Sequence, residues 1–125
     1  MEEYIHIGKI DISKYSGLCD KEILSNEVII TRKQIEHINN KKERTFYKYE
    51  KHLKNIIANP DYILEDPKHK DTGLVIKKIE KNIVLVLKLE TTTNKNKNSI
   101  ITIWDIKDKR LERYLLTHKT IYKRE

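Results

Sequence analysis

The sequence contains few of the residues that cross-link, bend or break a chain. Among its 125 residues are one cysteine, two prolines, three glycines and one tryptophan. A single cysteine, Cys19, can form neither an intramolecular disulfide nor a metal cluster, which is typical of a protein in a reducing cytosol. A glycine-rich phosphate-binding loop is excluded as well, because Gly8, Gly17 and Gly73 lie far apart in the sequence.

Long hydrophobic runs are also absent. The longest apolar stretch, Ile83–Leu87, has the length of a strand and is too short to span a bilayer. The chain begins with Met1-Glu2-Glu3, and no hydrophobic segment follows, so no secretory signal is predicted. We therefore expect a cytoplasmic protein that has no membrane partner.

The charge of the chain is positive and unevenly distributed. Its net charge is +7, and 23 of the 26 Lys and Arg residues follow residue 30, against 13 of the 19 acidic residues. A positive excess of this size favours a polyanionic partner such as nucleic acid. A composition rich in Lys, Asn and Ile explains the same charge without any function, so charge alone does not decide between these interpretations.

The order of predicted elements indicates a single α+β domain over residues 1–125. A helix is predicted to begin after Thr31, since Thr31 and Gln34 have the spacing of a capping box. A second helix is predicted over Thr45–Ala58, and Lys107–His118 is predicted to be a short helix or an irregular segment. The predicted strands are Tyr4–Ile10 at an edge, Val28–Ile30, Tyr62–Leu64, Leu74–Ile79, Ile83–Glu90, Ser99–Ile106 and Thr120–Lys123. We therefore expect two N-terminal helices packed on one antiparallel sheet.

Histidine is the residue type best suited to acid–base chemistry here, and His37 has the most defined position. It lies on the first predicted helix beside the apolar stripe of Ile35 and Ile38, where an imidazole is partly desolvated and still titrates near neutral pH. A lone histidine in such a position is more often structural. The remaining histidines are scattered without the spacing of a zinc site, and residues 66–71 are predicted to form a solvated turn.

Five short segments resemble a family of phage and mobile-element nucleases named for similarity to barnase, EndoU, colicin-type ribonucleases and RelE-like toxins. In chain order they are Ile7–Ile10, Val28–Thr31, Glu36–Ile38, Asn59–Leu64 and Asn98–Thr102. The resemblance implies a small, metal-independent ribonuclease without a cofactor, acting in the cytoplasm of a bacterial host. It also implies helices packed on one antiparallel sheet, which agrees with the predicted elements.

The resemblance implies three catalytic residues, namely His37, Lys88 and Thr102. Lys88 shares a strand face with Val84 and Val86, and Thr102 is predicted to share one with Ile100 and Trp104. Whether the two faces coincide stays open. Many relatives carry a second histidine or an arginine about one turn beyond the first. The second histidine is absent here, and this departure puts a two-histidine scheme in doubt. The candidate substrate-binding residues are Arg32, Lys77, Lys95, Lys97, Trp104 and Tyr122.

The sequence thus favours an endoribonuclease that cleaves RNA by attack of the 2′-hydroxyl. Two alternatives stay open. The first is an inactive RNA-binding or phage structural module of the same fold, which the missing second histidine favours. The second is a toxin domain that an acidic immunity or antitoxin protein neutralises.

Overall fold

The computed structural model describes residues 3–41, 46–93 and 96–125. The described residues form seven strands and five α-helices. The strands are β1 (Tyr4–Lys9), β2 (Glu27–Thr31), β3 (Tyr62–Glu65), β4 (Thr72–Ile79), β5 (Lys81–Lys88), β6 (Asn98–Ile106) and β7 (Thr120–Lys123). The helices are α1 (Ile12–Tyr15), α2 (Arg32–Asn39), α3 (Phe46–Glu50), α4 (Leu53–Ala58) and α5 (Asp108–Thr117). None of the described helices is long and apolar enough to cross a bilayer.

All seven strands belong to one sheet, in the order β1-β2-β6-β5-β4-β3-β7. The predicted edge position of β1 is confirmed, and β7 closes the opposite edge. The prediction of a wholly antiparallel sheet is wrong, because β2 and β6 pair in parallel through Val28–Asn98 and Ile29–Ser99. Strands joined by tight turns must run antiparallel, but β2 and β6 are far apart in the chain, so no turn constrains their direction.

The first predicted helix is confirmed as α2. The Thr31 hydroxyl accepts a hydrogen bond from the Gln34 backbone N–H at 3.2 Å, and the Gln34 side-chain oxygen accepts one from the Thr31 N–H at 3.1 Å. This reciprocal pair is the predicted capping box. It starts the helix directly at the end of β2 and turns the fully buried Ile38 toward the sheet.

The second predicted helix is not continuous. It is divided into α3 and α4, and the turn between them is closed by a bond from the His52 N–H to the Tyr49 carbonyl at 2.9 Å. The break lets α3 and α4 each bury an apolar side against the sheet, including Phe46 and Leu53. Thr45, where the prediction began, lies outside the described residues.

Two separate cores lie on the two faces of the sheet. Strand β5 contributes to both, since Ile83, Leu85 and Leu87 belong to the core beneath α1–α4, while Val84 and Val86 belong to the other core. This confirms the prediction that Val84 and Val86 share one strand face. Helix α5 covers part of the second face, so the sheet carries helices on both sides.

A buried amide joins the two halves of the sheet. The side-chain nitrogen of fully buried Asn98 donates to the carbonyl oxygens of Ser25 at 2.6 Å and Glu27 at 3.1 Å. Its side-chain oxygen accepts a bond from the Glu90 N–H at 2.8 Å. Asn98 therefore connects the segment leading into β2, the segment leaving β5 and the beginning of β6.

We predict that Asn98→Ala lowers the free energy of unfolding by about 2–4 kcal/mol, because it removes three hydrogen bonds from partly buried backbone groups. Urea denaturation measures the change. Asn40→Ala is the matched control, since Asn40 is exposed at the end of α2, and an exposed substitution should change stability by less than about 0.5 kcal/mol. Equal effects of the two substitutions would contradict the role assigned to Asn98.

Candidate active site

A groove with a volume of about 810 Å³ opens on the second face of the sheet. Its floor consists of side chains from β4, β5 and β6, including Leu74, Val86 and Ile101. One wall is the loop of residues 66–70, and another is the end of α5 with Tyr114 and His118. We refer to this cavity as the groove.

Strand pairing at the edge of the sheet brings the two walls together. Strands β3 and β7 pair antiparallel, and the Glu65 N–H donates to the Lys119 carbonyl at 2.9 Å. Residue 66 begins the loop and His118 ends α5, so this bond sets both walls at the same end of the groove. A bond from the Asp66 N–H to the Thr72 carbonyl at 3.2 Å closes the base of the loop.

His118 is held in one orientation. Its Nδ1 lies 3.2 Å from the Tyr114 carbonyl oxygen and 2.9 Å from the Thr117 hydroxyl oxygen, and its ring packs on the Tyr114 ring with centroids 5.1 Å apart. In the tautomer that donates to the Tyr114 carbonyl, Nδ1 carries the proton and Nε2 carries the lone pair. The described residues provide no hydrogen-bond partner for Nε2.

His69 is also oriented through Nδ1. That atom lies 3.0 Å from a carboxylate oxygen of Asp66, whose other oxygen accepts a bond from the Lys68 N–H at 2.9 Å. The Asp66 side chain is only 15% exposed, whereas the His69 side chain is 70% exposed. The largely buried Asp66 carboxylate thus holds the exposed His69 imidazole at the rim of the groove. Within the described ranges, no three His, Cys, Asp or Glu side chains lie close enough to hold a metal ion.

Lys88 supplies positive charge at the end of β5. It is exposed and pairs in register with Thr72 of β4 and Ser99 of β6. No ion pair neutralises Lys88 within the described part of the chain, and the same holds for the groove residues Lys68 and Lys70. The groove therefore presents three unneutralised ammonium groups near two imidazoles.

A bulge in β6 places Thr102 in the groove. Leu87 pairs with Ile100 but Val86 pairs with Thr102, so Ile101 is an extra residue in β6. As a result Ile101 and Thr102 both line the groove, while Ile100 lies in the opposite core. Bulges commonly redirect side chains near active sites. The prediction that Thr102 shares a face with Ile100 is therefore wrong, because the bulge shifts the alternation.

The Thr102 hydroxyl oxygen is buried and has no hydrogen-bond partner among the described residues. A desolvated hydroxyl without a partner costs about 1–3 kcal/mol. Thr72, on the neighbouring strand β4, also lines the groove, but its hydroxyl donates to the Lys70 carbonyl at 3.0 Å. The two threonines thus differ in hydrogen bonding within one cavity.

The structure brings together two of the three predicted catalytic residues, since Lys88 and Thr102 both line the groove. It does not bring His37 to them. His37 is exposed on α2, and the adjacent Ile38 packs into the core on the opposite face of the sheet.

Two predicted binding residues lie away from the groove. Lys77 is held by the Asn59 carbonyl at 2.8 Å and by Asp61 at 3.7 Å, and its side chain is only 12% exposed. The Tyr122 ring packs against the core beneath α1–α4, and the Lys14 ammonium lies 5.3 Å from its centroid. Neither side chain is available to a ligand in the groove.

The remaining binding candidates have mixed positions. Trp104 lines the groove, whereas Arg32 is 72% exposed at the start of α2, where it pairs with Glu3 at 3.3 Å. Lys97 binds Glu27 at 2.5 Å, and this hydrogen bond lowers the pKa of the Glu27 carboxyl group. Lys97 lines a smaller cavity of about 370 Å³, which also includes Lys88. Lys95 lies outside the described residues.

The two groove histidines were missed by the sequence analysis. A local signal was present for each, because Asp66 and His69 have the spacing of one turn, and Tyr114 and His118 have the i, i+4 spacing of a helix. Neither signal reveals that the two histidines share a cavity. That proximity depends on the pairing of β3 with β7.

Comparison with known proteins gives one family match. A family model described as phage-Barnase-EndoU-ColicinE5/D-RelE like nuclease matches residues 6–113. The match includes the groove loop, β3–β6 and the first half of α5. Neither a search of curated proteins nor a search of solved structures produced a match to this chain.

We predict that Thr102→Val raises the free energy of unfolding by about 1 kcal/mol, since it removes a buried hydroxyl that lacks a partner. Thr72→Val is the matched control and should lower the stability by about 1 kcal/mol, because it removes a hydroxyl that is hydrogen-bonded. Thermal and urea denaturation of both variants measure these opposite signs. A loss of stability in Thr102→Val would show that the hydroxyl is satisfied.

Proposed function

Because this chain belongs to the phage-Barnase-EndoU-ColicinE5/D-RelE like nuclease family, we propose that it is an endoribonuclease that cleaves RNA in the groove. The observation that carries this proposal is the pair of histidines, His69 and His118, each anchored through Nδ1 in one cavity with Lys88. The phage association of the family supports a gene carried by a phage or another mobile element.

The proposed reaction uses the 2′-hydroxyl of RNA as its nucleophile. One imidazole takes the proton of the 2′-hydroxyl as its oxygen attacks phosphorus, and the other protonates the departing 5′ oxygen. The products are a 2′,3′-cyclic phosphate and a 5′-hydroxyl. His69 and His118 suit these roles because each Nδ1 is held by an acceptor, which leaves Nε2 for the substrate.

In the proposed reaction, residues on the strands and in the loop of residues 66–70 stabilise the negative charge that develops at phosphorus. The phosphorus centre gains negative charge during attack, and fixed cations or donors near it stabilise that charge. We assign this role to the Lys88 ammonium. The Thr102 hydroxyl is buried, so it would donate to the substrate only after the side chains that cover it have moved. Lys68 and Lys70 would bind neighbouring phosphates, since they have no acidic partner within the described residues.

The groove also has a surface suited to a nucleobase. Trp104 lies beside the apolar floor of Leu74, Val86 and Ile101. RNA bases stack on aromatic side chains in most modes of single-stranded recognition. We propose that one base next to the scissile phosphate occupies this part of the groove.

The histidines of the groove weaken the case for an inactive RNA-binding or phage structural module. That alternative rested on the absence of a second histidine near His37, whereas the groove contains two histidines far from His37 in sequence. An acidic immunity or antitoxin protein, and action in the cytoplasm of a bacterial host, stay predictions of the sequence analysis.

We predict that His118→Ala and His69→Ala each lower the rate of RNA cleavage by about 10²–10⁴-fold, since each removes a proton-transfer group. Single-turnover cleavage of a labelled RNA measures the rate, and circular dichroism checks the fold. His37→Ala discriminates between the two assignments. Geometry predicts that it retains activity, whereas the sequence resemblance predicts that it does not. The proposed site would be overturned if His37→Ala lost cleavage activity while His69→Ala and His118→Ala both remained fully active.

The roles of the two histidines can be separated with a substrate that carries a 5′-bridging sulfur at the scissile bond. A thiolate leaves without protonation, so the variant lacking the general acid should cleave this substrate nearly as fast as the parent protein does. The variant lacking the general base should stay slow. Rescue of neither variant, or of both, would contradict the two-histidine reaction.

We predict that cleavage persists in EDTA and yields 2′,3′-cyclic phosphate ends, because side chains supply both proton transfers and the 2′-hydroxyl is the nucleophile. Mass spectrometry of the products identifies the termini. Activity that disappears on chelation and returns with magnesium or manganese would instead indicate metal-assisted hydrolysis.

A further inference from the structure

A second cavity, with a volume of about 550 Å³, lies at the beginning of α5. We refer to it as the basic cavity. Five cationic side chains line it, namely Lys81, Lys107, Lys109, Arg110 and Arg113. Neither the groove nor the smaller cavity with Lys97 contains as many Lys and Arg side chains.

The single carboxylate in the basic cavity, that of Asp105, pairs with only one of these cations, Lys81. Asp105 is bound by Lys48 at 2.9 Å and by the Tyr49 hydroxyl at 2.9 Å, with Lys81 at 4.0 Å. Burial alone would raise the pKa of Asp105, but the bonds from Lys48 and Tyr49 outweigh it and lower that pKa. The Asp105 charge is therefore already balanced within the protein.

The other four cations lie on α5 or just before it. No ion pair involves Lys107, Lys109, Arg110 or Arg113 in the part of the chain that the structure describes. Four like charges within two helical turns repel one another and destabilise the helix slightly. An anion bound in the basic cavity would relieve this repulsion.

A row of side chains on α5 connects the basic cavity to the groove. The Arg110 guanidinium lies 5.9 Å from the centroid of the Tyr114 ring, and the Tyr114 ring packs on His118. These residues have i, i+4, i+8 spacing and therefore share one face of the helix. Arg110 lines the basic cavity, whereas Tyr114 and His118 line the groove.

We propose that the basic cavity is a phosphate-binding subsite for a flanking part of the RNA strand that is cleaved in the groove. This inference rests on the proposed function, since it takes RNA as the substrate. A rise of about 1.5 Å per helical residue places Arg110 about 12 Å from His118. A dinucleotide has only one internucleotide phosphate and cannot occupy both cavities, so the subsite selects longer single strands.

Continuity with the groove favours RNA over an acidic protein as the occupant. The row from Arg110 to His118 presents a guanidinium and two rings, which suits alternating phosphates and bases.

The test compares binding of a dinucleotide and a hexanucleotide, both 2′-O-methylated so that neither is cleaved. In Lys109→Gln/Arg113→Gln, the hexanucleotide Kd should rise about tenfold, and the slope of log K against log salt should become shallower by about 0.7 for each lost phosphate contact. Dinucleotide binding should be unchanged. Lys33→Gln/Lys54→Gln, which removes two exposed charges from α2 and α4, is the matched control and should bind both oligomers as the parent does.

Kinetics with cleavable oligomers provide the second readout. The Lys109→Gln/Arg113→Gln variant should show a raised KM and an unchanged kcat for the hexanucleotide, with normal dinucleotide cleavage. The proposal is overturned if both variants bind the hexanucleotide like the parent protein. It is also overturned if the variant loses binding to polyglutamate alone, which would make the cavity a site for an acidic polypeptide. Hexanucleotide binding that depends on the basic cavity without any cleavage would leave the subsite intact and refute the proposed catalysis.

Discussion

The hydrogen bonds of the Asn98 amide join parts of the chain that no turn connects. They hold the segment before β2, the segment after β5 and the start of β6, and so secure the single parallel pair of the sheet. Only two residue pairs define the register of β2 against β6. The hydrogen bonds of the Asn98 side chain therefore contribute much of the specificity of that register. Lys88 ends β5 just before this junction. The position of a candidate catalytic cation therefore depends on one buried polar group that is fully hydrogen-bonded.

The two faces of the sheet differ in how completely helices cover them. The face beneath α1–α4 buries large apolar side chains and supplies most of the stability. The other face is only partly covered by α5, and the uncovered part forms the groove. Two features of the groove lower the stability of the protein. Among the described residues, the Thr102 hydroxyl has no hydrogen-bond partner and the groove lysines have no acidic partner. Features that lower stability often occur at functional sites, where side chains are retained for chemistry rather than for packing.

Local patterns predicted much of the fold. The Thr31 and Gln34 pair marked the start of α2, and the alternation of β5 separated the residues of the two cores. The same alternation put Lys88 on the outward face, where it lines the groove together with Thr102. Predictions failed where a local pattern was interrupted by tertiary packing, as in the break between α3 and α4, and where the bulge at Ile101 moved Thr102 out of phase with Ile100.

The sequence by itself determined the α+β class, the order of the seven strands, the basic character of the chain after residue 30 and the family resemblance. These follow from composition, periodicity and short motifs, which are properties of neighbouring residues. Only the tertiary structure decided which side chains form the candidate site. His69 and His118 line one cavity because β3 pairs with β7, whereas His37 lies on the opposite side because α2 packs on the other face. Lateral strand pairing and the choice of face depend on contacts between distant segments, which periodicity does not encode.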